Sequence, residues 1–295
     1  MIKEQIRTGL YSFSRAFFSS SFGKQLDTFM QKTPFLKRFQ TTAIAFFDAT
    51  TKVEGEKKLT LANGTVFFVP RSGSYAALEI ETTGKYEPEE TELITKILKK
   101  GDTFVEIGGN IGYFSIVFSP IVGSEGKIIT IEPSPAMVSI LEKNKEANNA
   151  ENMTIVPVAI GKEEGKISVG TESFHDMARI SFENGTIPMK PFDMILDELH
   201  IDHIDVATLD IEGAEILALQ GMEKVLKQKK IAKMMVEVNK GTLAAFDAKP
   251  IQLLEMLSEY FSLRLLESPE QEVSIEKLAQ MADNLTYVNV WCVRK

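Results

Sequence analysis

Phe104-Val105-Glu106-Ile107-Gly108-Gly109-Asn110-Ile111-Gly112 is the stretch on which the reading of this chain turns. It passes from an apolar run that suits a buried strand, through a glycine-rich turn, into the apolar start of a helix. Glycines let the backbone adopt dihedrals that a side chain forbids and lie close against a ligand. The helix that follows offers free N–H groups at its start. Strand, glycine turn and helix together predict a nucleotide-type cofactor lying across the turn, at the carboxyl ends of the strands.

The acids around the turn narrow the choice. Glu106 stands two residues before Gly108, at the strand tip. A carboxylate there is badly placed beside a pyrophosphate and well placed to attract an ammonium, directly or through water. Glu132 ends the next strand, just before Pro133, where it is suited to accept hydrogen bonds from both hydroxyls of a ribose. NAD would use Glu132 equally, but Glu106 favours S-adenosylmethionine, which carries an ammonium and no phosphate. A third acidic stretch, Thr208-Leu209-Asp210-Ile211-Glu212-Gly213-Ala214-Glu215, closes a later strand that borders the same crevice. Three acids at one strand tip repel one another, so a raised pKa or a cationic partner is expected. Glu215 also reads as a helix N-terminal charge that complements the helix dipole.

Outward from the turn, apolar strands alternate with amphipathic helices. Strands are expected at 103–107, 127–132, 153–159, 206–211 and 234–238. The helices expected between and after them fall near 111–121, 135–148, 191–199, 214–228 and 250–260, and the chain closes with strands at 262–266 and 286–293. This alternation predicts a mainly parallel sheet with helices on both faces. Three domains are expected: a helical N-terminal extension over 1–56, a small β element over 57–83 and the cofactor-binding domain over 84–295. In the β element Asn63-Gly64 marks a hairpin, and 77–80 reads as a third short strand.

Composition sets further bounds. The chain has 295 residues, 44% of them hydrophobic, and a net charge of −8, as in an ordinary globular protein. Lys3, Arg7, Arg15, Lys24, Lys32, Lys37 and Arg38 face only Glu4 and Asp27 in the first forty positions, so the acidity lies in the body. An acidic body argues against a nucleic-acid partner. The basic, apolar-faced segment 1–50 suits a helical cap, self-association or a membrane surface. The single cysteine, Cys292, sits in an apolar run and reads as a buried structural thiol. One cysteine forms no disulfide within the chain, and a cytoplasmic setting is expected.

The motifs Glu106-Ile-Gly-Gly-Asn-Ile-Gly-Tyr-Phe-Ser, Ile131-Glu-Pro-Ser-Pro, Leu141-Glu-Lys-Asn144-Lys-Glu-Ala-Asn148 and Leu209-Asp-Ile-Glu-Gly-Ala-Glu, in this order, resemble the FkbM-type methyltransferases. The resemblance covers about 84–240 and implies a class I, Rossmann-like methyltransferase fold: a seven-stranded, mostly parallel sheet whose last strand runs antiparallel. It implies methylation of hydroxyl oxygens on sugars, glycolipids or polyketide-type small molecules. By resemblance Glu106, Gly108, Gly109, Asn110 and Gly112 line the methionine end, Glu132 the ribose, and Pro133 and Ser134 the adenine edge. Tyr86 and Glu87, in Gly84-Lys85-Tyr86-Glu87-Pro88, close over the cofactor. Two departures from the family pattern are mild: glutamate for aspartate at the head of the turn, and Gly-Gly for Gly-Ala.

A hydroxyl is a poor nucleophile, so a base must take its proton or a divalent ion must lower its pKa. The candidates are Asp210, His175 with Asp176, and Glu237, which ends the fifth strand together with Asn239. No metal ligands are assigned. His200 and His203, before the fourth strand, are read as structural. An NAD(P)-dependent oxidoreductase and a non-catalytic cofactor-binding or interaction protein are the alternatives.

Overall fold

The computed structural model describes residues 55–71, 74–169, 180–181, 185–285 and 287–295. The expected helical segment 1–56 therefore lies almost wholly outside the described residues, as do His175 and Asp176.

The described chain opens with the expected hairpin, β1 (Glu56–Thr60) and β2 (Val66–Pro70), with Gly64 at φ 88° in its turn. Residues 77–80, expected as a strand, lie instead in helix α1 (Tyr75–Thr83). Leu78-Glu79-Ile80-Glu81 alternates like a strand, but capping overrides that local pattern. The Ser74 side chain accepts the Ala77 N–H at the helix start, and Gly84 closes the end at φ 79°. Ala76, Ala77 and Ile80 then form one buried face.

Helix α2 (Pro88–Ile97) leads into the main layer: β3 (Thr103–Ile107), α3 (Tyr113–Val122), β4 (Lys127–Ile131), α4 (Pro135–Ala147) and β5 (Met153–Val156). Pro157 ends the expected 153–159 strand early, and its remainder becomes β6 (Ala159–Ile160). β6, β7 (Gly165–Val169), β8 (Ile180–Ser181) and β9 (Ile187–Lys190) build a small side sheet that the sequence pattern did not announce. After α5 (Phe192–Glu198) comes β10 (Ile204–Leu209). The helix expected over 214–228 is two, α6 (Glu215–Gln220) and α7 (Glu223–Lys227), divided at Gly221-Met222. The chain finishes with β11 (Ile231–Val238), α8 (Lys240–Leu243), α9 (Pro250–Tyr260), β12 (Phe261–Leu265), β13 (Ser268–Glu272), α10 (Ile275–Asn284) and β14 (Val288–Arg294).

The central sheet has the order β13-β12-β14-β11-β10-β3-β4-β5. Seven of its strands match the expected sheet, with β14 antiparallel between β11 and β12. The eighth, β13, is an edge strand hairpinned onto β12. Alternate residues of the parallel strands serve two cores. Val105, Ile129, Ala207 and Val236 pack on one face with α5–α7, α9 and α10, while Phe104, Ile128, Val206 and Met235 pack on the other with the hairpin and α1–α4. Cys292 is fully buried in β14, as expected, and burial holds its thiol far above the usual range.

β3 lies between β4 and β10, so the chain winds outward from β3 in one direction and returns on its other side. Such a reversal leaves a gap above the strand tips, because the connections leave in opposite directions.

Candidate active site

The gap is a crevice above the tips of β3, β4 and β10. Its lining includes Tyr86, Glu106, Gly108 to Ile111, Glu132 to Ser134, Met137, Ile160, Asp210 and Glu212. The pairing of β3 with β10 sets Glu106 beside Thr208 and Ile107 beside Leu209, so Asp210 comes next, against Gly108 at the start of the glycine turn.

The turn is clamped at nearly every peptide. Gly108 and Gly109 both donate to Ile131 O at 3.0 Å, Asn110 N–H donates to Glu132 Oε2 at 2.9 Å, and Asp210 N–H donates to Ile107 O at 3.0 Å. An ideal Cβ on Gly108 would lie 1.7 Å from the Asp210 carbonyl oxygen. Glycine is thus required there for close approach between two strand tips as well as for its φ of 92°.

Glu106 is buried at the end of β3. Ser115 donates to it from its N–H at 3.1 Å and from its hydroxyl, which in turn meets Thr130 Oγ1. Burial pushes its pKa up to about 8, against the lowering effect of the Ser115 hydrogen bonds and with a small rise from the Glu132 charge. Glu132 joins two loops: Oε2 takes Asn110 N–H, and Oε1 takes Ser134 N–H at 2.8 Å.

The far wall is acidic. Asp210, Glu212 and Glu87 all act on Glu237, Asp210 acts on Glu87 as well, and burial followed by the Asp210 charge holds both Glu87 and Glu237 well above the usual carboxylate range. Asn239 Nδ2 donates to Glu237 at 3.2 Å, which supplies the polar partner expected for a carboxylate at a buried strand end. Glu215 staples the loop behind Asp210. Its Oε1 accepts Ile211 N–H at 3.2 Å and Gly213 N–H at 3.0 Å, and burial raises its pKa to about 7. Asn110, Glu87 and Glu212 all stand at left-handed φ (47°, 43° and 54°). Such backbone costs about 1–2 kcal/mol per non-glycine residue, and Glu87 adds the restriction of preceding Pro88.

Residues 106–262 match the family model described as the methyltransferase FkbM domain. The chain belongs to the FkbM methyltransferase family. A protein-L-isoaspartate O-methyltransferase of Fervidobacterium nodosum is 32% identical over 135 residues, which cover 44% of this chain and 62% of that protein. One from Arabidopsis thaliana is 37% identical over 59 residues, 20% of this chain and 26% of that one. The chain thus spans less than two thirds of the length of the curated relatives it matches. Among solved structures, a SAM-dependent O-methyltransferase from Thermotoga maritima is 14% identical with a TM-score of 0.43, covering 81% of this chain and 77% of that one. A SAM-dependent methyltransferase from Aquifex aeolicus is also 14% identical, with a TM-score of 0.41 and coverage of 70% and 90%.

This member of the FkbM family brings together nearly every described residue that its sequence nominated. Glu106, Gly108, Gly109, Asn110, Glu132, Pro133, Ser134, Tyr86 and Asp210 line one crevice. Gly112 caps the start of α3 beneath it at φ 77°. Glu87 and Glu237 stand around Asp210 rather than along the turn. His200 and His203 are exposed at the opposite end of β10, where His203 pairs with Asp205 at 3.2 Å. Among the described residues, no group of three or more His, Cys, Asp or Glu is arranged to hold a metal ion. Sequence reasoning missed Ser115 and Thr130, the hydroxyl pair behind Glu106. Ser115 was within reach: it stands third in α3, where a side chain and N–H turn back toward the preceding strand tip.

Proposed function

We propose that the chain is an S-adenosylmethionine-dependent O-methyltransferase acting on a hydroxyl of a sugar, glycolipid or other secondary-metabolite-type acceptor. The lining of the crevice carries this reading. It has four carboxylates, Glu106, Glu132, Asp210 and Glu212, and no lysine, arginine or histidine among its described residues. That charge suits a ligand bearing an ammonium and a sulfonium and repels a pyrophosphate. Ile131, Pro133, Met137 and Ile160 add apolar surface for a purine.

In this reading Glu106 takes the ammonium, and Gly108, Gly109, Asn110 and Gly112 shape the methionine end. Glu132 takes the ribose, Pro133 and Ser134 flank the adenine, and Tyr86 covers it. When bound, the cofactor supplies an electrophilic methyl group. The chain's own part is to hold an acceptor oxygen in line with that methyl and take its proton. Asp210 is assigned the proton, with Glu237 beside it and His175 as the further candidate. Glu87, by its place next to Asp210, belongs to the acceptor side. The acidic wall disfavours an anionic acceptor, such as the isoaspartyl carboxylate in the relatives' name, and supports a neutral hydroxyl.

Calorimetric titration with S-adenosylhomocysteine and with NAD separates this reading from the oxidoreductase alternative. Binding of the former alone is expected; binding of NAD alone overturns it. Labelled S-adenosylmethionine, incubated with the protein and a fractionated extract of the source cells, then identifies the acceptor by mass. Cofactor binding with no transfer to any fraction would favour the non-catalytic alternative.

Cofactor binding is expected to depend on pH through Glu106. Below about pH 8 its carboxyl is protonated in the free protein, and pairing with an ammonium requires the carboxylate. A proton is therefore released on binding, and affinity should rise about tenfold per pH unit between pH 6 and 7.5. Titration in buffers of different ionisation enthalpy reads the proton directly. Glu106→Gln should abolish the release; a slope that persists in the variant removes Glu106 from this role.

The net charge of −8 supports a partner other than nucleic acid, and the single cysteine supports a cytoplasmic setting. No helix among the described residues is long and apolar enough to cross a membrane. Membrane-surface binding or self-association is assigned to residues 1–50.

A further inference from the structure

Asn144 and Asn148, singled out in the sequence, touch neither the cofactor turn's acids nor the acceptor wall. Their side chains meet the hairpin instead. Asn144 Oδ1 accepts the Phe68 N–H at 2.5 Å, and Asn144 Nδ2 donates to Phe68 O at 3.1 Å. Asn148 Oδ1 accepts the Val66 N–H at 2.9 Å, and its Nδ2 donates to Val66 O at 2.7 Å. Four residues of helix rise about 6 Å and two residues of strand about 6.6 Å. Two amides one turn apart, one in α4 and one capping its end, therefore meet alternate peptides of β2, and the helix satisfies a strand edge that would otherwise be unpaired. Glu56 with Lys143 at 2.7 Å holds the same contact, and the stacking of Phe67 on Tyr113 at 5.4 Å ties the hairpin to the start of α3.

The second amide hydrogen of Asn144 goes elsewhere: Nδ2 donates to Ile111 O at 2.8 Å. Ile111 lies in the glycine turn, between Asn110, whose N–H is held by Glu132, and Gly112, where α3 begins. One fully buried amide thus holds the hairpin and the cofactor turn at once. If the hairpin leaves, the Asn144 side chain loses two of its three bonds and keeps the one to Ile111 O. The hairpin lies before the stretch that matches the family model.

We propose that the β1–β2 hairpin is a positioning element of the cofactor site, so that its docking on Asn144 and Asn148 and the binding of cofactor at the turn strengthen each other. The inference rests on the turn being the cofactor cradle. Coupling of this kind is reciprocal and amounts to about fivefold or more.

Asn148→Ala tests it, because Asn148 bonds the hairpin and the Asn144 carbonyl and does not reach the turn. The dissociation constant for S-adenosylhomocysteine should rise about fivefold or more while thermal unfolding stays cooperative. In the unaltered protein, saturating S-adenosylhomocysteine should slow hydrogen exchange at the Phe68 amide by a comparable factor, a readout that stands even if the variant does not fold. Unchanged affinity in a folded Asn148→Ala protein, or Phe68 exchange indifferent to ligand, overturns the coupling. An unaltered protein that does not bind S-adenosylhomocysteine overturns the cofactor reading and the coupling with it.

Discussion

Asp210→Asn should lower kcat by about 10²–10⁴-fold, the usual worth of a positioned general base, while affinity for S-adenosylhomocysteine changes little. The substitution keeps the size of the side chain. It also leaves the Asp210 N–H on Ile107 O, which fixes the tip of β10 against the glycine turn. What is lost is a carboxylate surrounded by other carboxylates. The Asp210 charge helps to hold Glu87, Glu215 and Glu237 above their ordinary pKa. In the variant all three should therefore ionise at lower pH, and the pH–rate profile should shift to the acid side. The measurement is initial rate against pH with the acceptor identified from the extract. Full turnover in Asp210→Asn would move the proton transfer to Glu237, and Glu237→Gln then becomes the deciding variant.

Gly108→Ala should abolish measurable cofactor binding and lower the melting temperature by several degrees. A Cβ there meets the Asp210 carbonyl oxygen at 1.7 Å. That carbonyl cannot swing away cheaply, because the N–H of its own peptide, that of Ile211, is held by Glu215 and the preceding peptide donates the Asp210 N–H to Ile107 O. The backbone at φ 92° adds about 1–3 kcal/mol of strain for a residue with a side chain. Gly101→Ala, between α2 and β3, is the matched control. Its φ is 88°, yet nothing lies within 4 Å of its Cβ. It should lose only the conformational part, about 1 kcal/mol, and keep its affinity. Equal affinity of Gly108→Ala and unaltered protein in calorimetry would show that the ligand does not use this turn.

Residues 103–112 carry enough local information to announce strand, turn and helix, because each step depends on near neighbours: an apolar run, glycines, and a helix start. Glu106 and Glu132 were legible for the same reason, since each ends a strand whose end the sequence marks. Helix α1 was not. Leu78-Glu79-Ile80-Glu81 alternates as a strand does, and only the Ser74 cap and the packing of Ala76, Ala77 and Ile80 on the rest of the core decide for a helix. The side sheet around β7 escaped because β6 and β8 have two residues each and β9 four, too few to show a period, and they exist only by pairing across the chain.

The amino-acid order alone therefore determined the glycine turn, its two flanking acids, the alternating α/β plan and the burial of Cys292, all of which follow from residue type and short-range spacing. Tertiary structure decided where the acids meet. β10 pairs with β3 across a hundred residues of chain, and that pairing sets Asp210 against Gly108, while the pairing of β11 with β10 and the link between α1 and α2 bring Glu237 and Glu87 to it. It likewise decided that Asn144 spans hairpin and turn, because a side-chain amide has no preferred partner until a distant strand edge and a nearby carbonyl are both brought within reach.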